Sequence, residues 1–370
     1  MTSYQKRIEE LFAPADIILN GDRPWDMIVH NGNLCRRLLA HGSLGLGESY
    51  MDGWWDCEKI DELVCRLFSR GVDRQVRTWG MAVAAITARL SNRQSQARSF
   101  QVGTHHYDIG NDFYERMLDS RMIYSCAYWK EADTLEAAQE HKLDLICRKL
   151  HLEPGQRLLD IGCGWGGMAQ FAAERYGVEV VGVTVSQEQA NVAQQRCSGL
   201  PVEIRFQDYR DLNEPFDRVV SVGMFEHVGY KNYGTYMSVV HRCLKEDGLF
   251  LLHTIGGNIS VTNNDPWIER YIFPNGMLPS AVQISSAFEG LFTLEDWHNF
   301  GPYYDTTLMA WWHRFEESWP ELSDRYGERF YRMWRYYLLS CAGAFRARVN
   351  QVWQLVLAKE SACDCYRSAR

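Results

Sequence analysis

The chain of 370 residues has no run approaching the roughly twenty consecutive apolar residues that a spanning helix needs. Its start, MTSYQKRIEELFAPADIIL, carries charges where a secretory signal requires an apolar stretch, so no export signal is expected. Positive charge is also in short supply: 39 Lys and Arg face 47 Asp and Glu, a formal net charge of -8. Without a global positive field to gather phosphates, non-specific nucleic-acid binding is disfavoured, and only a local basic face remains open. The eleven cysteines show no repeated short spacing except Cys363-Asp-Cys365. An odd count with no signal reads as reduced thiols in a cytoplasmic protein. Neither Cys-x2-Cys nor His-x3-His occurs, so no metal site is expected. No repeat of solenoid period is present either.

What the chain does contain is an ordinary globular balance, 46% hydrophobic and 23% charged, at a length suited to two domains. Its 13 Trp, 19 Tyr and 16 Phe exceed what a bland core requires and suit pockets for apolar or cationic ligands. Residues 1–90 carry short apolar segments broken by glycine. GSLGLGES (42–49) reads as turns, ESYMDGWWD as an acidic-aromatic patch, and 58–70 as a helix. Arg66, Arg70, Arg74 and Arg77 recur at helical spacing beside Leu63, Leu67 and Val76, so one helix would present a basic face. Polar residues over 91–105 form the expected linker to a second domain over 106–370.

From about residue 135 the pattern alternates. LEAAQEHKLDLICRKL is helical, RLLDIG a strand, MAQFAAERYG a helix and VEVVGVTV a strand. EQANVAQQRCSG, VEIRFQDY, FDRVVSVGMF, YGTYMSVVHRCLKEDG and LFLLHTIG continue as helix, strand, strand, helix and strand. Continuous β-branched strands separated by helices predict an α/β, doubly wound, mostly parallel sheet beside the smaller, largely helical amino-terminal domain. NQVWQLVLAKE reads as an added edge strand, after a long helical stretch from Asp305.

Between the first strand and its helix stands DIGCGWGG. Gly162 and Gly164 let backbone approach a ligand beyond the carboxyl end of the strand. The run is neither G-x-G-x-x-G nor a Gly-Lys-Ser/Thr phosphate loop, which points to a nucleoside ligand without a pyrophosphate. Four polar residues stand apart: Cys126 in YSCAYW, Glu226 after a strand, His253 inside an apolar strand and Tyr304 opening a helix. Singly, each also suits a structural role: an inert thiol, a loop acid, a satisfied core histidine and a packing ring.

LLDIGCGWGG (158–167) with VVGVTVSQEQ (180–189) resembles the S-adenosylmethionine site of class I methyltransferases. The whole chain resembles the cyclopropane-fatty-acyl-phospholipid synthases, through ESYMDGWWDCEKIDEL (48–63), HHYDIGNDFYERMLDSRMIYSCAYW (105–129) and MFEHVGYKNY (224–233). LLHTIG (251–256), ERYIFPNGMLPS (269–280) and DWHNFGPYYDTTLMAW (296–311) extend it nearly to the end. The resemblance implies a seven-stranded methyltransferase sheet. It places S-adenosyl-L-methionine against Tyr124, Ser125, Asp160, Gly162, Gly164 and Thr184, with Gln189 at the ribose and Gln207 and Asp208 beside the adenine. It also implies a bicarbonate ion held by Cys126, Glu226, His253, Tyr304 and the Ile255 backbone, and Tyr107 near the sulfonium methyl.

The implied reaction moves a methyl group to the cis double bond of a membrane phospholipid's acyl chain and closes a cyclopropane ring, with bicarbonate as base. A dry pocket lined by rings such as Tyr107 and Phe273 would protect the cation formed on the way. The family leads one to expect a homodimer attached peripherally to the inner face of the membrane. Trp54, Trp55, Arg36 and Arg37 are candidates for that lipid surface, with interdomain packing as the other role open to them. Tyr303 stands where a polar residue is expected before Tyr304. The rival readings are a lipid methyltransferase with methyl-branched or hydroxylated product, a small-molecule methyltransferase, and a cofactor-binding sensor.

Overall fold

Strands of Leu, Val and Ile that alternate with amphipathic helices can hide both faces of a sheet only by winding helices to either side of it. The computed structural model, which describes residues 3–72, 110–359 and 366–370, has this arrangement. The expected linker, Tyr107, Arg74, Arg77 and the Cys363-Asp-Cys365 pair lie outside the described residues. The described chain begins α1 (Ser3–Phe12), β1 (Ile28–Val29), α2 (Leu34–Met51), β2 (Trp55–Asp56), α3 (Ile60–Ser69). It continues α4 (Asn111–Met117), α5 (Leu135–Lys149), β3 (Arg157–Ile161), α6 (Gly167–Tyr176), β4 (Glu179–Thr184), α7 (Gln187–Arg196), β5 (Val202–Phe206). Then follow β6 (Phe216–Val222), α8 (Tyr233–Cys243), β7 (Leu244–Gly257), α9 (Pro266–Tyr271), α10 (Ala281–Phe288), β8 (Thr293–Asn299), α11 (Pro302–Arg346) and β9 (Asn350–Ala358).

The chain forms two compact units that are discontinuous in sequence. One comprises Met1–Ser91, Thr262–Pro274 and Tyr304–Asn350; the other comprises Asn92–Val261, Asn275–Tyr303 and Gln351–Arg370. The linear division expected at 106–370 therefore differs from the packing, because α9 and nearly all of α11 belong with the amino-terminal helices.

In the second unit a seven-stranded sheet runs in the order β5-β4-β3-β6-β7-β9-β8. Pairs β4/β5, β3/β4, β3/β6 and β6/β7 are parallel, and β8/β9 is antiparallel. Successive strands leave β3 first towards β5 and later towards β7, so the order reverses between β3 and β6. Such a switch point opens a crevice at the carboxyl ends of the two strands. One apolar cluster gathers Leu159, Val181, Phe225, Met237, Phe250 and Leu355, and a second gathers Leu143, Leu158, Phe171, Val180, Leu251 and Val356.

NQVWQLVLAKE is an inner strand rather than the expected edge. β9 lies between β7 and β8, and every residue from Gln351 to Ala358 is buried. The edge is β8, TLEDWHN, whose polar exposed face concealed it from an apolar-run reading.

The described residues of the first unit are mainly helical, with the short antiparallel ladder β1/β2. GSLGLGES, expected as turns, is part of α2, which kinks at Gly42 (φ 57°, ψ −133°). Its glycines serve close approach: a Cβ on Gly47 would sit 2.4 Å from the Trp267 ring, and one on Gly45 2.5 Å from the Arg37 carbonyl oxygen. Trp55, a candidate for a lipid surface, is instead fully buried. Its indole donates to the Leu46 carbonyl at 3.1 Å and its ring lies 4.9 Å from Tyr50. The Arg37 guanidinium covers Trp54 at 4.8 Å and pairs with Glu48 and Asp52, at 2.7 and 2.8 Å. Arg66 pairs with Glu62 at 2.8 Å, while Arg36 and Arg70 are exposed.

Candidate functional site

The carboxyl end of β3 turns through Gly162 and Gly164, both at positive φ (84° and 54°). A Cβ on Gly162 would strike Met224 at 2.7 Å, so this glycine lets the loop seat on the turn after β6. A Cβ on Gly164 would meet nothing within 4 Å, which leaves its backbone open to a ligand. The Gly162 and Cys163 amides donate to the Val183 carbonyl at 2.9 and 3.1 Å, and the Ser221 hydroxyl donates to Ile161 O at 3.0 Å. Just before the loop, Asp160 is buried and its Oδ2 has no hydrogen-bond partner among the described residues. Burial raises its pKa to about 7, against an opposing attraction from Lys142. An orphaned acid beside an open glycine backbone suits a ligand that brings donors, as a cofactor with an amino group does.

The ends of β4 and β5 supply the remaining expected cofactor contacts. Thr184 Oγ1 donates to Gln189 Oε1 at 3.0 Å, and Ser186 caps α7 by accepting from the Gln189 amide. That bond leaves the Gln189 NH2 as what the side chain can offer a ligand. Gln207 is anchored by its own amide, which donates to Thr184 O at 3.0 Å. Asp208 is a buried cap rather than a solvated turn acid: it accepts from the Arg210 amide at 3.0 Å and pairs with that guanidinium at 2.8 Å.

Residues 123–126, which carry Tyr124, Ser125 and Cys126, are held from beneath by α5. Gln139 donates to the carbonyls of Ile123 and Ser125 at 3.3 and 3.0 Å, and Lys142 Nζ donates to Ser125 Oγ at 2.8 Å. Asp119 fixes the other end by accepting from the amides of Arg121 and Ile123 at 3.0 and 2.9 Å. The Tyr124 ring lies 5.4 Å from Tyr114, itself 5.1 Å from Trp165 of the glycine loop. A Cβ on Gly223 would lie 3.8 Å from Ser125 Cβ, so this segment abuts the turn that follows β6.

That turn carries Glu226, in a short 3-10 helix at Phe225–His227. Parallel pairing places Val222 beside His253 of β7, and the Gly223 amide donates to His253 O at 2.9 Å. Glu226 Oε1 accepts from the Ile255 amide at 2.6 Å, whereas its Oε2 is buried without a partner among the described residues. Burial outweighs the Ile255 bond and raises the Glu226 pKa to about 7, so a protonated Oε2 is available near neutrality. His253 moves the other way: burial, and then the charges of Lys142 and Lys149, drive its pKa well down and keep it neutral. The Gln354 side-chain amide lies against its Nδ1, with the amide Nε2 at 3.4 Å, and fixes the orientation of the neutral ring. Cys126 is fully buried, with Sγ donating to Ala127 O at 3.3 Å, and Phe300 lies 5.7 Å from the His253 ring.

The sheet unit thus brings Glu226, His253 and Ile255 together where β6 ends beside β7, with the segment that carries Ser125 and Cys126 abutting the turn after β6. Tyr304 belongs to the helical unit, where it packs against Phe345 and Trp311 at 4.6 and 5.8 Å. Phe273 is in the same unit, against Tyr337 at 6.0 Å. Tyr303 belongs to the sheet unit, 5.5 Å from Tyr128. Sequence reading missed Asp119, Gln139, Lys142 and Gln354. One signal was present: Gln139 and Lys142 fall on the buried stripe of α5 with Leu135, Ala138 and Ile146, where polar residues need partners.

Comparison with known proteins shows which family the chain resembles. The mycolic acid cyclopropane synthetase family matches residues 94–355. The chain is 57% identical to the cyclopropane-fatty-acyl-phospholipid synthase of Escherichia coli (strain K12) over 358 residues, covering 96% of this chain and 94% of that one. Among solved structures, the cyclopropane synthase MmaA2 from Mycobacterium tuberculosis is 35% identical with a TM-score of 0.67, covering 70% of this chain and 98% of that one. Mycolic acid cyclopropane synthase CmaA1, solved complexed with SAH and CTAB, is 35% identical with a TM-score of 0.66 and the same coverage.

Proposed function

The chain belongs to the cyclopropane-fatty-acyl-phospholipid synthase family of S-adenosylmethionine-dependent lipid methyltransferases, and from that premise we propose that its substrate is an unsaturated phospholipid at a membrane surface and that bicarbonate is the general base. The observation that carries this reading is the pair of buried groups at the ends of β6 and β7. Glu226 Oε2 lacks a partner among the described residues, and His253 is buried and neutral, with one ring N–H to donate. Two donors without a carboxylate or phosphate to receive them suit a small anion.

S-adenosylmethionine, when bound, supplies an electrophilic methyl group on sulfur. Asp160, the Gly162–Gly164 backbone, Thr184 and Gln189 would hold it, with Gln207 and Asp208 at the adenine end. A cis alkene is a weak nucleophile, so the protein's contribution is to hold its two carbons in line and near contact. Tyr114, Tyr124 and Trp165 pack rings beside the glycine loop and exclude the water that would trap a carbocation. Ring closure releases a proton from the newly attached methyl. A protonated Glu226 and a neutral His253 orient an acceptor anion without adding a second full negative charge, which would raise the cost of holding both.

The experiment is incubation of the pure protein with liposomes of unsaturated phospholipid and cofactor labelled in the methyl group. We expect label in the acyl fraction, with upfield ring-methylene protons in the NMR spectrum. Absence of label would reject the enzymatic reading, and a methyl-branched or hydroxylated chain would reject ring closure.

A further inference from the structure

Two lysines on α5 are fully buried, and their surroundings differ. Lys149 Nζ has a carboxylate, Asp296 Oδ2, at 2.9 Å, and His298 Nδ1 at 3.2 Å. Lys142 Nζ, two turns earlier, has one neutral acceptor, Ser125 Oγ at 2.8 Å, and no ion pair among the described residues. An ammonium with three donors is rarely left so in a protein interior, because desolvation is offset only by a nearby negative charge. The charged and titratable groups facing it are Asp119, Asp160 and Cys126, and its own charge reaches His253. Asp119 is committed to two backbone amides. Both remaining neighbourhoods are ligand sites: Asp160 is beside the glycine loop, and Cys126 and His253 belong to the candidate anion cage.

We propose that Lys142 is a positioning residue for the reaction: its buried ammonium, through Ser125, sets the Tyr124–Cys126 segment and supplies the positive potential that lets the cage retain an anion. The inference rests on the reading of Cys126, Glu226 and His253 as that cage. Glu226 and His253 are neutral in their favoured forms, so neither provides a positive charge. Lys142 is the cation that the cage side chains lack. Its hydroxyl partner is next in the chain to Cys126 and abuts Gly223, whose amide holds His253. Burial lowers the Lys142 pKa to about 8, so it remains mostly charged at neutral pH.

The test measures turnover on dioleoyl phosphatidylglycerol vesicles against bicarbonate concentration in carbonate-depleted buffer, with S-adenosylhomocysteine affinity measured by calorimetry. The full chain is compared with Lys142→Met, Lys142→Gln and Lys142→Arg. For the two neutral variants the half-saturating bicarbonate concentration should rise about tenfold or more, because a cation near a buried anion acts through a low effective dielectric. Lys142→Arg, which keeps the charge, should stay much closer to the parent and show the effect even where a neutral variant folds poorly. Cofactor-product affinity should change less than about threefold throughout. An unchanged bicarbonate requirement in the neutral variants overturns the proposal, as does a rise in Lys142→Arg equal to theirs, or a parallel loss of S-adenosylhomocysteine binding. Indifference of the parent protein to bicarbonate overturns the cage reading itself, a result separable from the other three.

Discussion

The helical unit and the sheet unit both place charge in low-dielectric surroundings, and they treat it differently. In the helical unit the part-buried guanidinium groups of Arg37, Arg332 and Arg346 are matched. Arg332 donates to the carbonyls of Tyr50 and Trp55 and to Asp56, at 2.5, 2.8 and 2.7 Å. Arg346 binds Asp305 at 2.9 and 3.0 Å and Asp61 at 2.7 Å, and Arg37 bridges Glu48 and Asp52. At the strand ends of the sheet unit, Asp160 and Glu226 each have a buried oxygen without a partner among the described residues, and Lys142 has only a hydroxyl. Paired charges hold a fold in register; charges left incompletely satisfied are where a ligand completes the structure.

The strongest way to break that contrast is to alter the underpaired groups. Glu226→Ala and His253→Ala should each lower turnover by about a hundredfold or more, the usual scale for groups that assist proton transfer. S-adenosylhomocysteine affinity, read by calorimetry, should hold within about threefold. If affinity and turnover collapse together, these side chains are framework after all. The converse probe is Arg332→Ala, which takes a donor from two backbone carbonyls and one of two partners from the half-exposed Asp56, whose other partner is His30. It should lower unfolding free energy by about 2 kcal/mol in denaturant titration, the scale for losing charge-assisted hydrogen bonds at a part-buried site. A loss near zero would mean that matched charges in the helical unit are incidental.

The smallest effect concerns pH. A carboxyl whose folded pKa is raised favours folding only while protonated. The contribution of Glu226 is complete below its unfolded value of 4.5 and is lost as pH rises through about 7. Asp160 follows the same sign between 3.8 and about 7. Glu226→Gln should therefore gain about 1 to 2 kcal/mol relative to the parent between pH 5 and pH 8 in ligand-free unfolding experiments. A stability difference that stays flat across that range would place Glu226 in contact with a compensating charge.

Much of the catalytic unit was legible because its signals are local. Runs such as RLLDIG and VEVVGVTV are too apolar for an exposed strand, and the glycines after the first of them demand positive φ. Asp160, Gly162, Gly164, Glu226 and His253 each stood out as a polar or glycine position in an apolar context. The misreadings share a different cause. GSLGLGES reads as turns because glycine breaks helices on average, yet Gly45 and Gly47 are in α2 because neighbouring backbone and the Trp267 ring leave no room for a Cβ. β8 was overlooked because TLEDWHN gains its strand conformation from pairing with β9 rather than from its own composition. Trp55 reads as an interfacial ring, but its indole finds a carbonyl acceptor within the helical unit.

Periodicity and backbone chemistry by themselves determined the α/β class, the strand-turn-helix that cradles a nucleoside cofactor, and the residues of the strand ends. Those features depend on neighbours a few positions apart, where the chain's own geometry dictates the outcome. Tertiary structure alone decided which segments share a unit, which buried charges have partners, and that Lys142 lies under Ser125 with a hydroxyl rather than a carboxylate as its hydrogen-bond partner among the described residues. Those are distances between residues far apart in sequence, and desolvation, which gives them their energetic weight, exists only once the chain has closed around them.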